Sequence, residues 1–124
     1  MPIPCRQAGD VEDSRLPAHL EVSGLIRQTQ AGGGFAAVVK KGEHDAGTLL
    51  IVITCNGENS RIYERMPTID GPREWQRTMQ EDPENKREFV DYLDRRGRQD
   101  PDLWILELDI EDGERIIGLT TNSP

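Results

Sequence analysis

The eight residues TLLIVITC, Thr48 to Cys55, constrain the fold more than any other stretch. They are apolar on successive positions rather than alternate ones. Such a strand has to be buried on both faces, so it belongs in the middle of a sheet with material above and below. The rest of the chain has to supply that material.

The flanks read accordingly. FAAVVKKG, Phe35 to Gly42, is an earlier strand, and EHDAG, Glu43 to Gly47, is the turn that joins the two. NGENS, Asn56 to Ser60, is a hairpin turn, because Asn-Gly supplies the positive φ angles such turns need. RIYERM alternates cleanly: Arg61, Tyr63 and Arg65 on one face, Ile62, Glu64 and Met66 on the other. PTIDGP is a loop. REWQRTM, Arg73 to Met79, fits helical and strand spacing and is read as a short edge strand.

Two helices complete the layers. The first starts near Ser14 or Pro17, carries Leu16, Leu20, Leu25 and Ile26 with Val22 beside them, and ends at Gly32 to Gly34. The second is capped by Asp82 ahead of Pro83, buries Phe89, Val90 and Leu93, can pair Asp91 with Arg95, and stops at Gly97. RQDPDLWILELD then returns the chain to the sheet. Strand alternation sends Trp104, Leu106, Leu108 and Ile110 to one face, and Leu103, Ile105, Glu107 and Asp109 to the other. A turn at Asp112-Gly113 allows a short closing strand. The class is α+β: two helices packed on a twisted sheet, built from an antiparallel meander of three or four strands and one or two further strands.

A chain of 124 residues holds one domain. Residues 1–14 read as a loose extension, 15–119 as the domain and 120–124 as a tail. The net charge of -8 argues against nucleic acid or an anionic membrane surface as partner. No apolar run has transmembrane length, and MPIPCRQAGD lacks the apolar core of a signal peptide. Cys5 and Cys55 make no disulfide framework, so the cytoplasm is the expected compartment.

Each candidate site has a plainer alternative. Glu43, His44 and Asp45 carry groups that bind metals or move protons. Three consecutive residues in a tight turn rarely converge on one ion, however, and the other histidine, His19, lies on the first helix. A polar turn is the expectation there, with no metal and no cofactor. Arg61, Tyr63 and Arg65 could hold a carboxylate or phosphate; the plainer reading pairs the arginines with nearby acids. Asp100 and Asp102 flank Pro101 in a stiff junction, and general acid-base work would need a burial that alternation does not imply. There is no phosphate loop, no dinucleotide fingerprint, no nucleophile elbow and no paired CxxC.

FAAVVKKGEHDAG, Trp75 and DPDLWILELD together resemble the short alphaproteobacterial proteins grouped as domain-of-unknown-function family 1491. The resemblance spans roughly Arg15 to Leu119. It implies no activity, but it singles out Gly42, Gly47, Trp75, Asp100, Pro101, Asp102, Trp104 and Glu107. The expectation is a cytoplasmic protein-binding or adaptor module without catalysis, using Arg61, Tyr63, Arg65, Trp75, Asp100 or Asp102 or an exposed sheet edge. The alternatives are a small enzyme or anionic-ligand binder on the Tyr63 face, and a subunit of a homo-oligomer.

Overall fold

The computed structural model describes residues 16–69 and 71–119. The elements are α1 (Ala18–Ala31), β1 (Phe35–Lys40), β2 (Leu49–Cys55), β3 (Glu58–Thr68), β4 (Gly71–Gln80), α2 (Lys86–Gln99) and β5 (Trp104–Asp109), followed by a 3-10 turn at Gly113–Ile117. The expected extension 1–14, the tail 120–124 and the Ser14 helix start lie outside the described residues.

The five strands form one mixed sheet in the order β1-β5-β2-β3-β4. The apolar run is its centre: Leu49 to Thr54 are all buried, and Leu50, Ile51 and Ile53 are wholly so. Burying each such side chain contributes about 1.5–3 kcal/mol. Leu49, Ile51 and Ile53 pack with Val22 of α1, Trp104 and Leu106 on one face, while Leu50 and Val52 meet Ile62, Phe89 and Ile105 on the other. Each helix therefore covers one face.

β2, β3 and β4 form the expected antiparallel meander, and 73–79 is indeed edge strand. The turn at 43–47 is a correction. It does not join paired neighbours, because β5 lies between β1 and β2, parallel to β2 and antiparallel to β1. The reason is burial. Leu103 to Leu106 and Leu108 are buried on both faces, so β5 takes an interior position and β1 is left at the edge.

Other differences are local. Asp82 and Pro83 make a turn, with the Glu84 amide donating to Asp82 Oδ1, and the cap of α2 is Asn85, which accepts from the Glu88 amide. Gly97 does not stop α2. It lets the Lys40 stem cross the helix, with Lys40 Cδ 3.3 Å from where a Cβ would stand. The helix ends at Asp100, because a residue before proline avoids helical backbone. Val90 is exposed and Phe89 carries the contact, joined by Tyr92 and Leu93. On α1 the buried stripe is Ala18, Val22 and Thr29; Leu16 precedes the helix and Leu20 is on its outer side. The closing segment is the 3-10 turn, not a strand.

Candidate functional site

Alternation along β3 places Arg61, Tyr63 and Arg65 on the α1 face, as expected, but each is already engaged. Arg61 donates to Glu114 through Nε (2.6 Å) and Nη2 (3.2 Å), and Tyr63 Oη donates to the same carboxylate at 2.8 Å. Arg65 donates to Glu21 at 2.7 Å and lies over the Trp75 ring, 4.5 Å from its centroid. The arginines pair with acids, as the plainer reading held.

A matching network fills the α2 face. Glu64 accepts from Arg96 (2.7 Å), Tyr92 (2.7 Å) and Thr78 (2.8 Å). Burial pushes the Glu64 carboxyl up, but these hydrogen bonds outweigh it and hold the group below the usual carboxylate range. Glu114 behaves alike: burial opposes ionisation, and Arg61, Tyr63 and its own backbone more than offset it. A general acid needs the opposite displacement. These carboxylates are built to stay charged and to fix β3 against its neighbours.

Asp100 and Asp102 form the core of a structural knot rather than a pair of acids. The Asp102 amide donates to Asp100 Oδ1 (3.1 Å) and the Glu43 amide donates to Asp102 O (3.0 Å). A Cβ at Gly42 or Gly47 would stand 2.2 or 2.3 Å from that same oxygen. The Trp104 indole N–H donates to Glu43 O at 2.8 Å. Lys40 Nζ donates to Pro101 O and Leu103 O, both at 2.9 Å. The glycines of the 42–47 segment and the DPDLW junction are thus two halves of one close backbone contact.

A groove of about 980 Å³ opens at this end of the sheet. It brings Arg65, Arg96 and Asp100 to one concavity, and its lining does not include Arg61, Tyr63, Asp102 or Trp75. Of the Tyr63 face only Arg65 reaches this groove with Asp100, while Arg61 and Tyr63 lie outside it.

The fold also makes a contact that spacing did not announce. The first turn of α1 docks on the 44–46 turn: the Ala18 and His19 amides donate to Asp45 O and His44 O, both at 2.9 Å. His19 and His44 stack, with centroids 3.6 Å apart. Glu114 was equally hidden: Glu111, Asp112 and Glu114 all lie between Ile110 and Ile117, and only the fold buries the last of them.

The family described as a protein of unknown function, DUF1491, matches residues 16–118. Among solved structures, a DUF1491 family protein from Caulobacter crescentus CB15 is 29% identical, with a TM-score of 0.72 over 84% of this chain and 96% of that one. Protein Atu0922 from A. tumefaciens is 28% identical, with a TM-score of 0.70 over 89% of this chain and 98% of that one. An NMR structure of a DUF1491 family protein from Caulobacter crescentus CB15 is 31% identical, with a TM-score of 0.68 over 82% and 91%. No curated protein matches the sequence.

Proposed function

The chain belongs to the DUF1491 family, and from that premise we propose that it is a binding module that pairs an extended segment of a partner protein with the β1 edge. The observation that carries this is the contrast between the two edges. β1 exposes Phe35 (66%), Val38 (43%) and Val39 (56%), and its outer side has no strand partner among the described residues. β4, the other edge, exposes Arg73, Glu74, Gln76 and Arg77. Charged side chains are one way a sheet edge blocks unwanted pairing, and FAAVV carries none; the bulge between Val38 and Lys40 leaves the run Phe35 to Val38 in regular register. Lys40, the one cation in the strand, is turned inward onto Pro101 O and Leu103 O.

The occupant is a partner segment that alternates apolar and basic residues. At a net charge of -8, two copies of this chain repel each other, whereas a basic segment is attracted. Glu107, opposite Ala37 in the register, puts a carboxylate on the strand next to β1, whereas Asp109 is spent on the Asn56 amide. Main-chain hydrogen bonds give such a complex affinity, and alternate side chains give it selectivity.

Hydrogen exchange tests the reading on a complex captured from the native cell. β1 amides gain protection on binding, those of β4 do not, and Phe35→Lys with Val39→Lys abolishes capture. Protection confined to β4 or to the groove around Arg65 sinks the proposal.

A further inference from the structure

The structure assigns a divalent-cation site of the zinc class to His19, His44 and Asp45. One donor atom from each lies within 4.8 Å of the other two. His44 Nδ1 is 3.0 Å and His19 Nδ1 is 3.9 Å from Asp45 Oδ1. Ligand atoms around a tetrahedral zinc stand roughly 3.3 Å apart, given metal-ligand distances near 2.0–2.2 Å. Converging on one ion tilts the two imidazoles out of their 3.6 Å stack and releases the His19 Nδ1 contact with His44 O; side chains that are 33%, 60% and 70% exposed have the room to make that movement.

The backbone beneath them is fixed. The Glu43 carboxylate accepts the Asp45 and Ala46 amides, and Gly42 and Gly47 are locked against Asp102 O. The Ala18 and His19 amides are spent on carbonyls of the same turn, so the positive end of α1 does not face the ion with free donors. Two imidazoles and a carboxylate match zinc, and borderline ions such as nickel and copper, better than calcium or magnesium, which prefer all-oxygen sets. Three protein ligands leave a position for water. Asp45 also lines the groove, so the ion sits at its rim. A bound ion ties the start of α1 to the turn across 25 residues of sequence. The site does not depend on the β1 edge, and either can fail alone.

Zinc titration of the full chain, followed by calorimetry and by histidine ring resonances, tests the assignment. The wild type binds one zinc per chain with both rings shifting. His19→Ala and His44→Ala each weaken binding by at least about tenfold. Asp45→Asn weakens it less, and unchanged backbone spectra of the apo variants establish that they fold. Cys5→Ser serves as a control for thiol binding. Zinc affinity that survives His19→Ala with His44→Ala, or that disappears with Cys5→Ser alone, overturns the assignment. So does a wild type whose histidine resonances are unmoved by excess zinc.

Discussion

Replacing Glu114 by Gln isolates the strongest electrostatic contact on the α1 face. The Glu114 side chain is 7% exposed and its partner Arg61 13%, so both charges are largely out of water. The carboxylate accepts three hydrogen bonds, two from Arg61 and one from Tyr63. Gln keeps the volume but removes the charge, and it places an amide where an acceptor is required. Removing one member of a buried pair costs about 3–5 kcal/mol, because the other charge is left uncompensated. Arg61 retains some contact with solvent, which places the loss near the lower end, about 3 kcal/mol. For a domain of this size that lowers the melting temperature by roughly 12 °C. With a urea slope of about 1.5 kcal/mol per molar, it moves the midpoint by about 2 M. Urea unfolding monitored by tryptophan fluorescence reads this directly. Arg61→Ala alone is similarly harmful, and the double variant is less harmful than the sum by about 2 kcal/mol. A Glu114→Gln protein within about 0.5 kcal/mol of wild type, the range of ordinary surface changes, would refute the buried-network reasoning.

Three further outcomes follow from the same contacts. Glu64 and Glu114 both have folded-state pKa values below their ordinary range, so their contribution is present above the unfolded value of about 4.3 and is lost as pH falls through the folded value; urea midpoints should hold down to about pH 5 and then fall, and Glu64→Gln with Glu114→Gln should flatten that fall. Gly47→Ala drives a Cβ to 2.3 Å from Asp102 O and costs about 3 kcal/mol or prevents folding, whereas Gly33→Ala, at φ 91° with open space around it, costs only about 1–2 kcal/mol in thermal melts. Val39→Lys, at 56% exposure, leaves stability within about 0.5 kcal/mol while removing partner capture.

The legible parts of this fold were those governed by local periodicity. Consecutive apolar residues at Leu49 to Ile53 announced a central strand, and alternation alone placed Trp104 and Glu107 on opposite faces. The position of β5 was legible in principle, because LWIL is as apolar on both faces as LLIVI. Short connections nevertheless favoured pairing β1 with β2. Neither the Asn85 cap nor the exposure of Val90 followed from composition: Asp-Pro and Asn are both good helix starts, and the rotation of α2 is set by how Phe89 and Tyr92 seat on β2 and β3. The site was hidden for another reason. Glu114 meets Arg61, and His19 meets His44, across 53 and 25 residues. Contacts of that span are products of topology, which no spacing along the chain encodes.

Site-specific photo-crosslinking in the native cell tests the binding account most directly. A photoreactive residue at Val39 samples the β1 edge, and one at Gln76 samples the charged β4 edge under the same conditions. The account predicts a discrete adduct from Val39, carrying an extended apolar and basic segment of another protein. It predicts no adduct from Gln76 and loss of the Val39 adduct in the Phe35→Lys background. Equal adducts from both edges, or a Val39 adduct that is a second copy of this chain, would contradict it.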